Sequence, residues 1–261
     1  MCKVEQWLRA NRRQYEVFVQ VVEHLLASGF HPVSTDLYRD HAFRRDHTEA
    51  MVQVLGSFEP ASVPWPLKVF STGPLFRAGQ AWLEAVDVEW LGEPAETKDA
   101  DVVQFLVDLV SGFRLEARDL VIVFGHLGWL QRVLDAKGIG ESERRQAIEA
   151  LRQGCWSWIS SHWPDLVSLF RPLPPSQFVE EINRWIEPIG LPAVQTPWTE
   201  RWDLSLTGQW DYYHGIVFSL YHRATGQALA NGGRFEMRVR DRAIDGIGFT
   251  LYLDAFRAVE G

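Results

Sequence analysis

Cysteine, long apolar runs and signal-peptide features are all scarce in this sequence of 261 residues. Cys2 and Cys155 are the two cysteines, and their spacing indicates neither a disulfide framework nor a zinc site. No stretch approaches the roughly 18 apolar residues of a membrane span, and the first residues lack the apolar core of a signal peptide. We therefore expect a cytoplasmic protein that has no metal site and no contact with a membrane.

An excess of positive charge is also lacking, since the net charge is −8. Nucleic-acid binding draws most of its affinity from lysine and arginine side chains that meet phosphates, so we expect no nucleic-acid partner. Two interpretations of Arg234, Arg238, Arg240 and Arg242 remain open, namely a local basic face or a solvated strand and turn.

Several enzyme motifs are missing as well. The sequence has no GxGxxG loop and no GxxxxGKS/T loop, and there is little alternation of single strands and helices, so it predicts neither a Rossmann nor a P-loop domain and no bound cofactor. HExxH and GxSxG motifs are absent too, which leaves no metalloprotease or serine-hydrolase signature.

What the sequence does contain is a regular succession of helical and extended segments. Apolar spacing predicts a helix over residues 12–28, with Gly29 as its C-terminal cap. It then predicts, in chain order, an extended segment at 30–38, strands at 64–77 and 87–91 with a break at Gly73-Pro74, a helix at 100–113, a strand at 120–124 and a helix at 128–136.

Residues 138–200 have a different pattern, with helices near 142–153 and 176–187 around a proline-rich stretch. The last 55 or so residues return to strands, including a hairpin around 223–227, and end in a helix. We therefore predict one α+β domain over residues 1–261, in which helices flank an antiparallel sheet and a helical insertion occupies about 138–200.

Six short segments carry a resemblance to a known family. They are, in chain order, Phe43-Arg-Arg-Asp-His-Thr48, Gly73-Pro-Leu-Phe-Arg77, Asp87-Val-Glu89, Asp211-Tyr-Tyr-His-Gly-Ile-Val-Phe218, Ala230-Asn-Gly-Gly-Arg-Phe235 and Gly246-Ile-Gly-Phe-Thr-Leu-Tyr-Leu-Asp-Ala-Phe256. With them, the chain resembles the class II aminoacyl-tRNA synthetase core over nearly its full length. Within the histidyl branch it is most similar to the regulatory subunits of ATP phosphoribosyltransferase.

The resemblance implies a pocket for L-histidine and assigns a role to each of its residues. Asp46 and Thr48 would hold the amino group, because an ammonium needs a carboxylate and neutral oxygen acceptors. The remaining contacts would be Arg77 for the carboxylate, Glu89 and the tyrosine hydroxyls of Tyr212 and Tyr213 for the imidazole, and Gly232 and Gly233 for close backbone approach to the ligand.

Simpler interpretations stay open for some of these residues. Asp46 or Thr48 would also serve as the N-cap of a helix, and Glu89 alternates with apolar neighbours like a solvent-facing strand residue. His126 ends a strand, so it is either a ligand residue or a structural one. Asp40-His41 and Asp46-His47 lack the companion ligands of a metal site.

Departures from the family pattern point away from catalysis. Gly208 and Ala255 stand where the family has the arginines that stabilise the transition state of adenylation, and losing one such group typically costs about 10²–10³ in rate. Tyr252 replaces a glycine beside the adenine, and Ala85 replaces a glutamine that helps to bind the amino group. Asp36 stands where the first class II motif has a proline.

The resemblance therefore implies a non-catalytic regulatory subunit that supports the short-form catalytic subunit of ATP phosphoribosyltransferase and contributes to feedback inhibition by histidine. It also implies a homodimer through residues 12–38, within a hetero-oligomer, and no anticodon-binding domain. The alternative is a synthetase-like ligase that activates an amino acid for an acceptor other than tRNA. A third interpretation is an amino-acid-binding protein without an enzyme partner.

Overall fold

The computed structural model describes residues 3–39, 42–44, 46–59, 62–76, 82–92, 98–192, 194–207 and 211–260. Its helices are α1 (Lys3–Ala27), α2 (His47–Gly56), α3 (Lys98–Ser111), α4 (Leu127–Ala136), α5 (Glu141–Arg152), α6 (Trp156–His162), α7 (Pro175–Ile182) and α8 (Leu253–Glu260). Its strands are β1 (His31–Pro32), β2 (Tyr38–Arg39), β3 (Ala42–Phe43), β4 (Leu67–Leu75), β5 (Leu83–Leu91), β6 (Leu120–His126), β7 (Thr199–Trp202), β8 (Tyr213–His222), β9 (Ala228–Val239) and β10 (Arg242–Tyr252).

Helix α1 buries one face and ends at a glycine, as the sequence predicts. Val17, Val21 and Leu25 recur every four residues and are buried, which is the spacing of one helical face. Gly29 has φ +80, a left-handed conformation that commonly ends helices. The helix begins at Lys3 rather than at residue 12, because residues 3–11 contain neither glycine nor proline to stop it.

One sheet of eight strands dominates the fold, in the order β1-β4-β5-β10-β9-β8-β6-β7. Its central strands are antiparallel, which confirms the predicted sheet flanked by helices. The edges differ from the prediction, because β1 pairs with β4 and β6 with β7 in parallel. The sheet is therefore mixed.

The predicted break at Gly73-Pro74 is wrong, because β4 continues through both residues and stays paired with β5. Two features explain the continuity. Gly73 has φ +127, which L side chains rarely adopt, and β1 pairs with β4 only as far as Phe70. Pro74 therefore lies on an edge, where its missing N–H removes no ladder hydrogen bond.

The two faces of the sheet are covered by different helices. Phe249 of β10 contacts Phe105 of α3, and its strand neighbour Thr250 faces the other side, since strand side chains alternate. Helix α2 lies on that other side, against β4, β5 and β9. Helices α5, α6 and α7 lie between β6 and β7 in the chain, within the predicted helical stretch, and α7 ends at Ile182 instead of residue 187.

Within the described part of the chain, no helix combines the length and the apolar character needed to span a bilayer.

Candidate functional site

A cavity of about 500 Å³ opens on the α2 face of the sheet. Its floor is a polar row on four adjacent strands, made of Asp87, Thr250, Asn231 and Ser219, each opposite the next in the strand register. The far wall comes from the end of α5 and from residues 205–207. Of the residues predicted to bind histidine, Asp46, Tyr213 and Gly232 line this cavity.

Glu89 is buried, with 2% of its surface exposed, so the solvent-facing interpretation is wrong. Its Oε1 accepts a hydrogen bond of 2.6 Å from the Thr48 hydroxyl, and its Oε2 has no partner among the described residues. Gly248 makes room for this side chain, because a Cβ there would lie 2.0 Å from Oε2. Burial, followed by repulsion from Asp87, raises the pKa of Glu89 well above its ordinary value.

Asp46 has two structural partners. Its Oδ1 accepts from the backbone N–H of Glu49 at 3.0 Å, which confirms the capping interpretation for the start of α2. Its Oδ2 accepts from the Tyr212 hydroxyl at 2.6 Å, and the ring of Tyr212 lies 4.9 Å from that of Tyr213. Burial raises the pKa of both tyrosines, so both hydroxyls stay protonated and able to donate.

The two glycines of β9 serve the sheet itself. A Cβ on Gly232 would lie 2.4 Å from the Gly248 carbonyl oxygen and from the Phe218 ring, and one on Gly233 would lie 2.7 Å from the Ile216 carbonyl oxygen. Their small size is therefore required by neighbouring strands. Gly232 also borders the cavity.

The described residues include some of the family's motif positions, whether retained or replaced, and exclude others. Arg77 and Gly208 lie outside the described residues. Ala255 is buried at the start of α8, and the Tyr252 hydroxyl accepts from the side-chain amide of Asn231 at 3.1 Å. Tyr252 and Asn231 both line the cavity.

Two buried polar residues of this region are absent from the sequence-based site. Asp87 is 1% exposed and lines the cavity two residues before Glu89, on the same strand face. Strand side chains alternate between the two faces of a sheet, so the pattern that places Glu89 on this face also places Asp87 there. The sequence could therefore have identified Asp87. His47 is fully buried, with Nδ1 3.1 Å from the Ser71 hydroxyl and Nε2 3.2 Å from the Gly73 carbonyl oxygen.

His47 is neutral at physiological pH. Burial, together with the nearby Arg44 guanidinium, lowers its pKa to about 4. Because Nε2 faces a carbonyl oxygen, Nε2 carries the proton and Nδ1 accepts from Ser71. The ring thereby ties the first turn of α2, next to Asp46 and Thr48, to strand β4.

His126 and Arg234 have structural surroundings. His126 caps α4, since its Nδ1 accepts from the Trp129 backbone N–H at 3.2 Å, and this confirms the structural interpretation. Arg234 is buried and donates twice to Asp99 Oδ1, at 3.0 and 2.6 Å. The four arginines at 234–242 therefore do not form one basic face. Among the described residues, no group of three or more His, Cys, Asp or Glu side chains is arranged to hold a metal ion.

Comparison with known sequences places this geometry in context. Residues 179–256 match the family model described as histidyl-tRNA synthetase. ATP phosphoribosyltransferase regulatory subunits of Aquifex aeolicus and Saccharophagus degradans are 24% and 26% identical to the chain over 84% and 67% of its length. The matched parts cover 58% and 51% of those two proteins, so the chain spans little more than half the length of these curated relatives.

Solved structures show the same architecture. An ATP phosphoribosyltransferase regulatory subunit/histidyl-tRNA synthetase from Bacillus halodurans matches with a TM-score of 0.77 at 17% identity, over 98% of this chain and 80% of that one. The resemblance predicted from the sequence is confirmed. The ATP phosphoribosyl transferase (HisG:HisZ) complex from Thermotoga maritima matches at 0.62 and 16% identity, over 92% and 97%. At such identities these two likenesses show the fold, which is that of the histidyl-tRNA synthetase class II core.

Proposed function

We propose that this protein is a non-catalytic regulatory subunit of ATP phosphoribosyltransferase. It acts in histidine biosynthesis in the cytoplasm, where it supports a short-form catalytic subunit and contributes to its feedback inhibition by L-histidine. The sequence relatives named as regulatory subunits support this assignment, as does the fold shared with the chain from the Thermotoga complex.

The observation that carries the proposal is a contrast between two parts of the site. Beside the cavity, which Asp46 lines, polar side chains are held in place by hydrogen bonds from Thr48 to Glu89 and from Tyr212 to Asp46. On the cavity lining itself, Tyr252 is bonded to Asn231, at a position where the synthetase pattern has a glycine beside the adenine. Polar groups suited to an amino acid, next to a tyrosine where a nucleotide would need space, support a sensor of histidine.

The histidine pocket in this proposal keeps the predicted set of residues. Glu89 faces one imidazole nitrogen and a tyrosine hydroxyl faces the other, because a neutral imidazole offers one donor and one acceptor. The buried, unpartnered Oε2 of Glu89 supports this placement, since such an atom gains a hydrogen bond when a ring N–H reaches it. The other members are Asp46, Thr48, Arg77, Tyr212, Tyr213, Gly232 and Gly233.

A homodimer through α1 and the following segment completes the proposal. On the side of α1 opposite its buried face, Tyr15, Val19 and Leu26 are 71%, 47% and 51% exposed. Apolar side chains exposed along one helix face support a protein–protein contact. We expect sedimentation of the isolated protein to give a dimer, and Val19→Asp to give a monomer; a wild-type protein that sediments as a monomer would contradict this contact.

The test of function combines two assays on the purified full chain. We expect no amino-acid-dependent pyrophosphate exchange with ATP, because Gly208 and Ala255 replace the arginines that would stabilise the phosphorus transition state. Added to the short-form catalytic subunit from the same organism, the chain should increase the formation of phosphoribosyl-ATP. L-Histidine should inhibit the mixture, because feedback requires different histidine affinities in the active and inhibited assemblies.

Glu89→Gln provides the matched control. It keeps the shape of the side chain and removes its charge, so it should still support the catalytic subunit while losing sensitivity to histidine. Robust exchange with ATP and histidine would instead favour the ligase alternative. A chain that binds histidine but neither binds nor stimulates a catalytic subunit would favour the amino-acid-binding protein without a partner.

A further inference from the structure

Four side chains beside the proposed pocket are joined in a row by hydrogen bonds. Arg44 donates to the hydroxyl of Thr35, which lies 3.1 Å from the hydroxyl of Ser71. The Ser71 hydroxyl lies 3.1 Å from His47 Nδ1, and His47 Nε2 lies 3.2 Å from the Gly73 carbonyl oxygen. We call Arg44, Thr35, Ser71 and His47 the Ser71 network.

The two ends of the Ser71 network fix the direction of every hydrogen bond in it. Arg44 can only donate, so Thr35 Oγ1 accepts from it and the Thr35 proton is left for Ser71. At the other end a carbonyl oxygen can only accept, so His47 Nε2 carries the ring proton and Nδ1 accepts from Ser71. Each hydroxyl therefore accepts one hydrogen bond and donates one, and removing either hydroxyl interrupts the row.

The Ser71 network joins three parts of the chain at the start of α2. Thr35 follows β1, Ser71 lies in β4, and His47 is the first residue of α2. His47 lies between Asp46 and Thr48 in the sequence, and both of these neighbours belong to the proposed pocket. The fully buried ring of His47 therefore fixes the first turn of α2 in relation to the sheet.

Arg44 anchors the other end of the network. Its guanidinium donates to the Thr35 carbonyl oxygen at 3.1 Å and to the Pro74 carbonyl oxygen at 3.2 Å, in addition to the Thr35 hydroxyl. Gly73 leaves room for the guanidinium, because a Cβ at that position would lie 2.8 Å from Nη2. Thr35 is therefore held through both its backbone and its side chain.

Stability alone does not require a network of this kind. Ser71 and His47 are almost completely buried, and burying polar groups is unfavourable unless hydrogen bonds offset the loss of water. Apolar side chains of the same shape would fill such a space at similar or better stability. What a fully bonded polar network adds is a single defined geometry. The network therefore fits a need for a defined position of the first turn of α2.

We infer that the Ser71 network positions the histidine pocket without contacting the ligand. None of its four residues, all of them described, is part of the cavity lining. The network holds the first turn of α2, so that Asp46 and Thr48 keep the hydrogen bonds that orient the pocket. This inference rests on the proposed histidine pocket, and it adds Thr35, Ser71 and His47 as positioning residues.

Calorimetric titration of the full chain with L-histidine tests the inference. Thr35→Val keeps the shape of the side chain and removes its hydroxyl, so it should bind L-histidine about fivefold more weakly than wild type. Thr35→Ser keeps the hydroxyl and should stay within about twofold of wild type. Ser71→Ala removes the partner of His47 itself and should weaken binding by about tenfold, as the loss of an outer hydrogen-bond partner does at other sites.

A double variant tests whether the residues act as one unit. Thr35 reaches His47 only through Ser71. Thr35→Val combined with Ser71→Ala should therefore bind L-histidine within about twofold of Ser71→Ala alone, because the losses of coupled residues do not add. Two independent structural roles would instead multiply the two losses of affinity.

Thr199→Val is the matched control outside the pocket. Thr199 lies in β7, at the opposite edge of the sheet from β1, and its hydroxyl accepts from Arg223 as that of Thr35 accepts from Arg44. The control removes the same kind of hydrogen bond and should leave the affinity for L-histidine within about twofold of wild type. Thermal unfolding of every variant separates a loss of stability from a loss of affinity.

Four outcomes would overturn the inference. They are wild-type affinity in both Thr35→Val and Ser71→Ala, equal weakening by Thr35→Ser and Thr35→Val, equal weakening by Thr199→Val, and a wild type that binds no L-histidine. If circular dichroism shows that Ser71→Ala does not fold, the two variants of the half-buried Thr35 decide the question. Stimulation of the catalytic subunit is measured separately, so a failure of the regulatory role and a failure of the network give different results.

Discussion

Two regions on opposite faces of the sheet are built on opposite principles. The aromatic cluster consists of Phe124, Trp129, Phe178 and Trp202. The Trp202 ring lies 5.0 to 5.5 Å from each of the other three rings, and the rings of Trp129 and Phe178 lie 6.2 Å apart. The polar region on the other face, at the cavity and beside it, instead buries carboxyls, hydroxyls and a histidine. Asp87, Glu89 and His47 are almost fully covered.

The difference separates stability from recognition. Apolar rings gain free energy from burial whatever the protein binds. Buried polar groups gain little unless each has a partner, and an unpartnered one such as Glu89 Oε2 is unfavourable in the free protein. The aromatic cluster should therefore determine the global stability, and the cavity should respond to ligand and pH.

Removing the centre of the aromatic cluster should have the largest effect. Trp202 is fully buried and contacts Phe124, Trp129 and Phe178. Trp202→Ala should lower the free energy of unfolding by about 3–5 kcal/mol, because it leaves a cavity among rings that cannot collapse into it. Urea unfolding measures this change.

Trp156, which is 48% exposed, provides the comparison within the same residue type. Trp156→Ala should change the free energy of unfolding by about 0.5 kcal/mol or less. If both variants lost the same free energy of unfolding, the aromatic cluster would contribute no more to stability than an exposed tryptophan does.

The next prediction concerns the stability that His47 contributes and how much of it is lost at low pH. Its pKa is lowered to about 4 in the folded protein, from an ordinary value of 6.5. The folded state therefore binds fewer protons than the unfolded state between these values, and the stability contributed by His47 is present above pH 6.5 and lost as the pH falls to about 4. The stability advantage of wild type over His47→Gln should shrink by about 3 kcal/mol over that interval.

Urea unfolding at a series of pH values measures this advantage. His126, whose pKa is also lowered to about 4 by burial, serves as a second probe on the other face. His126→Asn should remove a similar acid-dependent loss while keeping an acceptor at the start of α4. An advantage that stays constant from pH 7 to pH 4 would contradict the buried, neutral state of His47.

The effect of Glu89 on stability should have the opposite dependence on pH. Because its pKa is raised, the stability that Glu89 contributes is present below its ordinary value of 4.5 and is lost as the pH rises through the folded-state value. The free energy of unfolding of Glu89→Gln should rise relative to that of wild type as the pH rises, by at most about 1.4 kcal/mol per pH unit. It should also weaken L-histidine binding by roughly 1.5–3 kcal/mol.

The exposed Glu59 gives a control of the same chemistry. Glu59→Gln should leave both the pH dependence of stability and the binding of histidine as in wild type. Should Glu89→Gln behave in the same way, Glu89 would have no role in the pocket. If wild type does bind, saturating histidine should stabilise it by about 2.7 kcal/mol at a hundredfold excess over Kd.

The sequence predicted the order and type of most elements because their periodicities are local. Buried positions of α1 recur at helical spacing, and the hairpin between β8 and β9 forms around the predicted turn at 223–227. The parallel edges and the continuity of β4 through Gly73-Pro74 were not predictable in this way. Both depend on which strand lies alongside, and that is a property of contacts between segments distant in the chain.

The features of the pocket can be divided in the same way, into those that were predictable from the sequence and those that were not. Residue types and short motifs by themselves determined the resemblance to a histidyl-tRNA synthetase core, and they predicted a pocket of carboxyl and hydroxyl groups for histidine. Only the tertiary structure decided how these groups pair: Thr48 with Glu89 across 41 positions and Asp46 with Tyr212 across 166. A hydrogen bond depends on distance and direction in space, which the sequence encodes only through the whole fold. For that reason the unpartnered Oε2 of Glu89 became visible only once the strands were side by side.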